Sequence, residues 1–330
     1  MINATCDILS HVNQFTSVIP LSQTCKSLNN ECRQLKVYKL QDSDAYNFIH
    51  NKEFRNRIIC LTRNPIRQIR IEHKLTDEKS CTLTDADAER VFKLSLIRFD
   101  TLDKINYNNL QQVNIKCCKV IDISPLSKIK RLTLIQCFNL RIIPILEQVK
   151  TLIIIDCFRV QIINTMPSLK HLELYHCPNI TACDVQPSLI YAKLSDCTIN
   201  YVSSFKNIES LELISCYDVF ELPELLKLNR LTLSNCSNFS NFSNLNSLKH
   251  LTIQSCHQFT EIPTLEHLET LNIKTCKCIA TIYPSPNLSS LSMNSCTSFI
   301  TVLIEQNQTI DTINIFRCTN TLLKYVSKIE

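Results

Sequence analysis

The chain has 330 residues, a formal net charge of +5 at pH 7 and 19 cysteines, and it contains neither glycine nor tryptophan. The lack of glycine excludes the Walker loop, the dinucleotide-binding fingerprint and the nucleophile elbow, because each needs glycine where the backbone meets a ligand or turns sharply. No window approaches the roughly 18 continuous apolar residues of a membrane-spanning helix. These features predict a protein that is not an enzyme, needs no cofactor and does not cross a membrane.

The first forty residues are predicted to form short helices. Two apolar segments define them, Asp7-Ile8-Leu9 followed by Val12, and Leu21-Ser22-x-x-Cys25-Lys26-x-Leu28. Here the chain resembles the F-box, a short helical motif that binds a Skp-type adaptor of a cullin–RING ubiquitin ligase. The resemblance implies adaptor contacts from Ile8, Leu9, Val12, Val18, Leu21 and Cys25. The alternative is that residues 1–40 form a helical cap for the domain that follows.

Residues 41–91 are predicted to hold connecting helices and irregular first repeats. Ile69 and Ile71 alternate as in a strand, whereas Thr84-Asp85 resembles the capped start of a helical turn. Between Arg33 and Lys74 there are ten Lys or Arg residues against four acidic ones. The segment has no aromatic pattern for stacking bases, so a solvated surface or an acidic protein partner is predicted rather than nucleic acid.

Beyond residue 91 the sequence repeats. Within one repeat, Leu172 and Leu174 alternate as in a short half-buried strand, and Cys177, Ile180 and Cys183 then follow at every third position. A period of three suits 3₁₀ or polyproline-like turns, whereas an α-helix needs 3.6. Each repeat is therefore predicted to be a strand and a slim return arm. The recurring cysteines, 19, 20 or 22 residues apart, are Cys118, Cys137, Cys157, Cys177, Cys197, Cys216, Cys236, Cys256, Cys276, Cys296 and Cys318.

The pattern L-x-x-L-x-L-x-x-C-x-x-φ-x-x-φ-P resembles the leucine-rich repeat. The resemblance covers residues 92–320 and implies an α/β solenoid of about twelve 20-residue repeats with a parallel concave sheet, behind the small helical F-box-like module. Residues 321–330 place Leu322, Leu323, Val326 and Ile329 on one helical face, which predicts a C-terminal cap.

The cysteines are predicted to be free thiols of a protein in the cytoplasm or nucleus. Residues 1–15 lack the apolar run of a signal peptide. Ladder cysteines in neighbouring strands would all point into the core, so oxidation would distort the stack. Asn-x-Ser/Thr sequons such as that at Asn179 argue for secretion, but a chain this rich in these residues contains them by chance. Neighbours such as His176 and Cys177 do not supply four converging ligands, so no metal is predicted.

A partner-binding surface is predicted on the concave face, where the outward strand residues form columns. Large apolar residues fill the N-terminal half of one column and Ser, Asn and Gln its C-terminal half, and exposed aliphatic residues mark binding sites. Alternatively, the N-terminal module covers them, or an outer strand face simply tolerates β-branched residues. The predicted contact residues are Ile97, Ile135, Ile153, Ile155, Tyr175 and Ile214, with Arg131, Glu173 and Glu212 as a charged rim.

Together these features predict a substrate-recognition subunit of a cullin–RING ligase. The N-terminal helices would bind a Skp-type adaptor and through it the cullin, the concave face would hold a client protein of unknown identity, and other subunits would transfer ubiquitin. The alternative is a leucine-rich-repeat scaffold or effector that binds a protein partner without any ligase.

Overall fold

A computed structural model of the chain describes residues 38–41, 51, 53–54, 69–72, 93–97 and 110–326, except 199, 201, 243–244, 298, 306–307 and 319. The chain divides into two compact units, Met1–Leu140 and Arg141–Glu330. The F-box-like segment predicted over residues 1–40 lies outside the described residues except for its last three positions. The predicted adaptor contacts Ile8, Leu9, Val12, Val18, Leu21 and Cys25 therefore lie outside them as well.

The described strands of the first unit pair in parallel and in chain order. The strand predicted around Ile69 and Ile71 is present, and a further strand precedes it across the predicted boundary at residue 40. A 3₁₀ turn at Ser124–Leu126, with proline in its first positions, connects the last two strands. The strands are β1 (Tyr38–Gln41), β2 (Ile69–Glu72), β3 (Lys93–Ile97), β4 (Gln112–Lys116) and β5 (Arg131–Ile135).

The second unit continues with strands from successive repeats. In chain order these are β6 (Ile142–Ile143), β7 (Thr151–Ile155), β8 (Ile162–Ile163), β9 (His171–Tyr175), β10 (Ala182–Cys183), β11 (Tyr191–Ser195), β12 (Ser210–Ile214), β13 (Arg230–Ser234), β14 (His250–Gln254), β15 (Glu261–Ile262), β16 (Thr270–Lys274), β17 (Thr281–Ile282), β18 (Ser290–Asn294), β19 (Phe299–Glu305), β20 (Thr312–Phe316) and β21 (Asn320–Val326). The nine strands β7, β9, β11, β12, β13, β14, β16, β18 and β20 form one parallel sheet in that order. Two smaller parallel sheets lie in the return arms, β10-β8-β6 and β15-β17-β19-β21.

The core of the second unit follows the predicted spacing. Leu172 and Leu174 on β9 are fully buried, and in register beside them lie Ala192 and Leu194 on β11, also fully buried. In the return arm every third residue is buried, from Cys177 through the next repeat. One of these positions holds the polar Gln186, which is fully buried. Its side chain accepts a hydrogen bond from the Met166 N–H (3.0 Å) and donates to the Asn164 and Asp184 carbonyls (both 3.1 Å).

The return arms contain turns, two-residue strands, the seven-residue strands β19 and β21 and a 3₁₀ turn at Val202–Ser204, and residues 110–326 as described include no α-helix. The parallel-sheet solenoid with its 20-residue spacing is confirmed, but these repeats form a β-solenoid, so the predicted α/β class is wrong for them. The physical reason is the three-residue apolar period, which an α-helix cannot keep on one face. Within the described part of the chain, no helix is long and apolar enough to span a membrane.

A residue with left-handed backbone directly follows each five-residue strand from β4 to β20. Eleven non-glycine residues, from Cys117 to Arg317, have φ between 50° and 56°. For most of them the N–H group donates to a carbonyl of the next strand, as His176 N–H does to the Ser195 carbonyl (2.9 Å). The turn then directs the following cysteine into the core. Without glycine, the chain makes this bend with residues that adopt it less readily, at about 1–2 kcal/mol each.

The helix expected within residues 321–330 is wrong over Asn320–Val326, which form β21 and pair with β19 in parallel across seven residue pairs. Thr321, Tyr325 and Val326 favour strands, and pairing with a preformed seven-residue edge supplies hydrogen bonds that an isolated short helix would lack. The last described arm is therefore a strand like the arm before it.

Candidate protein-interaction surface

The cysteines of the ladder contact backbone carbonyls and have a structural role. Cys177 Sγ donates to the carbonyl of Tyr175 (3.3 Å) and lies 3.8 Å from the carbonyl of Ile154 in the preceding repeat, and the same pair of contacts recurs along the ladder. Burial raises the pKa of the Cys216 thiol to about 12, so it stays neutral and unreactive at pH 7. The described ladder cysteines are free thiols, buried except Cys318, which is half-buried.

A compact cluster of polar and aromatic side chains lies on the outward face of the nine-stranded sheet, which is the face that the sequence predicts to be concave. Alternate residues of a strand point to opposite faces, and the outward positions of three adjacent strands carry the cluster. Parallel register places Tyr191 beside His171, and Lys193 between Glu173 and Glu212. We call this set the concave cluster; its members are His171, Glu173 and Tyr175 on β9, Tyr191 and Lys193 on β11, and Glu212 on β12.

The aromatic rings of the concave cluster are fixed by direct contacts. The rings of His171 and Tyr191 stack, with centroids 4.3 Å apart and planes 18° apart. The Tyr191 hydroxyl donates to Glu212 Oε1 (3.0 Å), and the Tyr175 hydroxyl donates to Glu173 Oε2 (2.7 Å). Each tyrosine is therefore held at its hydroxyl end, with its orientation set before any partner arrives.

The charged members of the concave cluster are also paired. Glu173 Oε1 lies 2.5 Å from His171 Nε2, so both oxygens of this carboxylate are engaged. Lys193 Nζ lies 3.5 Å from Glu212 Oε2 and 5.8 Å from the centroid of the Tyr175 ring. The cluster thus satisfies much of its own charge and leaves ring faces as its apolar surface.

Protonation in the concave cluster follows from these contacts. Burial favours the neutral form of Glu173, but hydrogen bonds from His171 and Tyr175 and the charge of Lys193 outweigh it and lower the pKa. Burial and the neighbouring carboxylates raise the pKa of Tyr175 and of Tyr191. Both phenols therefore remain hydrogen-bond donors, and Glu173 remains an acceptor, across the neutral range.

The predicted aliphatic residues divide between the two units. Ile153 and Ile155 on β7 are half-buried and lie in register beside Glu173 and Tyr175, so they extend the concave cluster. Ile214 is also half-buried, but the buried Ser195 separates it from Tyr175. The remaining predicted residues lie in the first unit: Arg131 is exposed, and Lys116 lies between Ile97 and Ile135.

Sequence reasoning placed Tyr191 outside the predicted contact set, although it is central to the concave cluster. The signal was available, since Tyr191 occupies the first position of its strand one repeat after His171, and two aromatic rings in adjacent repeats of one column can stack. The prediction followed the last strand position, where the aliphatic residues lie.

At the edge of the same face, His176 bridges two acidic turn residues. Its Nδ1 lies 3.1 Å from Asp156 Oδ1 and its Nε2 lies 3.3 Å from Asp196 Oδ2. Because the two nitrogens face different carboxylates, the three side chains do not converge on one point. Across the described residues, no group of three or more His, Cys, Asp or Glu side chains could hold a metal ion.

Comparison with known proteins gives little beyond this geometry. No protein-family model and no curated protein matches the chain. Among solved structures, the functional domain of InlJ from Listeria monocytogenes, which includes a cysteine ladder, is similar with a TM-score of 0.36 and 14% sequence identity, over 84% of this chain and 70% of that chain. Similarity at this level carries no argument about function.

Proposed function

We propose that this protein is a protein-binding scaffold whose concave face receives a partner at β7, β9, β11 and β12. The observation that carries the proposal is the pair of tyrosines, Tyr175 and Tyr191, each held by a glutamate on a rigid strand. Tyrosine is enriched among the residues that dominate binding energy. Side chains that are already oriented lose little conformational entropy on binding, so more of the contact energy appears as affinity.

The chemistry of the cluster suggests an apolar segment as the principal contact of the partner. Glu173, Lys193 and Glu212 are paired with neighbours in the cluster, so they offer little uncompensated charge. The unpaired surface is provided by Ile153 and Ile155 and by the parts of the two tyrosine rings that His171 and Lys193 do not cover. Binding of this kind is expected to depend only weakly on salt, because screening acts mainly on charges that attract across the interface.

As a finer proposal, the scaffold acts as the substrate-recognition subunit of a cullin–RING ligase. Its support is the resemblance of residues 1–40 to the F-box. In this scheme the N-terminal helices bind a Skp-type adaptor, the concave face holds the client protein, and the chain itself catalyses nothing. A cytoplasmic or nuclear location would give it access to these partners. A scaffold or effector with no ligase remains the alternative.

The concave site is tested by affinity capture from cytosol with the full chain and two matched variants. Ile155→Asp places a charge beside Tyr175, and Ser234→Asp introduces the same charge at the same half-buried strand position outside the concave cluster. Capture of the specific partner is expected to fall about tenfold or more with Ile155→Asp, and to persist with Ser234→Asp. Equal capture by both, with matching circular dichroism spectra, would place the binding site elsewhere.

The ligase link is tested separately with a purified Skp-type adaptor. The full chain should bind the adaptor, and the double variant Ile8→Asp with Leu21→Asp should not, while Ser234→Asp binds normally. If the full chain fails to bind the adaptor yet still captures its concave-face partner, the protein is a scaffold without a ligase.

A further inference from the structure

The C-terminal end of the second unit exposes side chains that are buried in every earlier strand of its main sheet. Ile313 and Ile315 on β20 occupy the core-facing positions and lie in register beside Leu291 and Met293, which are fully buried. Both isoleucines are nevertheless 38% exposed. Of the fifteen exposed large apolar side chains among the described residues, five belong to β20 and β21: Ile313, Ile315, Phe316, Leu322 and Leu323.

The same end also presents two strand edges. Within the described part of the chain, β20 is the last strand of the nine-stranded sheet and β21 the last strand of the four-stranded sheet. A strand in this position has backbone N–H and C=O groups available for pairing with another chain. Among the described residues, an apolar surface and two terminal strand edges therefore coincide.

The sequence of this end is complementary to itself. All five residues of β20 are uncharged, and Asp311 and Arg317 flank it symmetrically, both exposed. In an antiparallel pair of two copies centred on Asn314, Ile313 lies opposite Ile315 of the second copy. The same register brings Asp311 alongside Arg317 of the second copy, twice by symmetry, so opposite charges meet at both ends of the pair.

We infer that the β20–β21 end is a self-association surface that joins two copies of this chain about a twofold axis, with β20 paired antiparallel to β20 around Asn314. A twofold axis perpendicular to the sheet makes the two β20 strands antiparallel and keeps the core of both copies on one side. The dimer thereby covers the exposed core positions with the equivalent positions of the second copy.

The test is sedimentation equilibrium of the full chain and of charge variants at this end. Asp311→Arg places like charges together at both ends of the strand pair, and so does Arg317→Asp. Each is expected to weaken the dimer about tenfold, because two attractive rim contacts become repulsive. The double variant Asp311→Arg with Arg317→Asp restores both contacts and should dimerise like the native chain. Asp218→Arg, an equivalent reversal on an exposed turn of an earlier repeat, should have no effect.

Mixing the two single variants separates contacts between copies from effects within one copy. An Asp311→Arg chain paired with an Arg317→Asp chain has opposite charges at both ends, so the mixture should form a heterodimer more tightly than either variant forms a homodimer. The inference is overturned if the native chain stays monomeric at about 100 μM, a concentration at which even a weak specific interface is populated. It is also overturned if a dimer forms but none of the charge changes at Asp311 and Arg317 affects it.

Discussion

The buried thiols of the repeats should make this protein unusually sensitive to alkali. Burial raises the pKa of six of these thiols well above the ordinary value of 9.0. The pKa is about 12 for Cys197 and Cys216, and about 11 for Cys183, Cys236, Cys256 and Cys276. Because the folded-state pKa is the higher one, the stabilisation provided by the neutral thiols is complete below the unfolded value and is lost as pH rises toward the folded value.

The size of the effect follows from proton linkage. At about pH 9.5 roughly three quarters of the thiols with a pKa of 9.0 are ionised in the unfolded chain, and almost none are ionised in the folded chain. Each thiol then contributes somewhat less than about 1 kcal/mol to the loss of stability, and the six together contribute about 5 kcal/mol. Since domains are stable by about 5–15 kcal/mol, a loss of this size brings the protein close to unfolding.

The assay is urea unfolding at about pH 7.5 and 9.5, followed by far-ultraviolet circular dichroism with a thiol reductant present. The free energy of unfolding should fall by at least about 5 kcal/mol between the two conditions, because burial also raises the pKa of Cys177 and of Cys296 and their ionisation adds to the loss. A Cys236→Ala variant should be less stable at the lower pH because it leaves a cavity, yet its loss on going to the higher pH should be smaller by roughly 0.8 kcal/mol, the contribution of one thiol. A native chain that loses under about 1 kcal/mol would refute the view that these thiols are held neutral by burial.

Three further perturbations test other parts of the structure. Phe239→Ala should lower the free energy of unfolding by about 3–5 kcal/mol in urea titrations. The reason is that the Phe239 ring is fully buried against Phe242 and Phe259, whose ring centroids lie 5.3 and 5.8 Å away. A loss under about 1 kcal/mol would contradict this packing. Thr275→Asn should raise the free energy of unfolding by about 1 kcal/mol, because asparagine adopts the observed φ of 53° more readily than a β-branched residue does. An unchanged urea midpoint would count against strain at this turn. Glu173→Gln should lower the pKa of Tyr175, followed by phenolate absorbance, because it removes a carboxylate that opposes phenolate formation. An unaltered titration would show that Glu173 does not contribute to that pKa.

The sequence predicted the repeat because its signals are local. Leu172 and Leu174 alternate with outward residues as a strand requires, and the three-residue spacing after Cys177 excluded a helix in the return arm. The helical reading of residues 321–330 was wrong because Leu322, Leu323 and Val326 fit a helical face equally well. Asn320–Val326 form a strand because they pair with β19, and this contact between two segments is not visible in the local pattern.

The concave cluster was only partly predictable for a similar reason. Its columns follow from the repeat length, so Glu173, Tyr175 and Glu212 could be named in advance. Which carboxylate accepts from which tyrosine depends on side-chain direction across strands, and periodicity carries no information about that. Gln186 illustrates the same limit, because its place in an apolar column becomes intelligible only with the three backbone groups that its amide bonds.

The left-handed turns keep nearly the same backbone shape whichever side chain they carry. Residues as different as Gln136, Asp156, Thr275 and Arg317 adopt nearly the same φ, so the solenoid imposes the bend whatever the residue. Mutation can therefore exchange the chemistry at a turn without moving the chain. Within one unit, successive turns follow strands spaced about 4.7–4.9 Å apart. They form a row of evenly spaced, individually replaceable side chains along one edge, on which a new binding specificity can arise one repeat at a time.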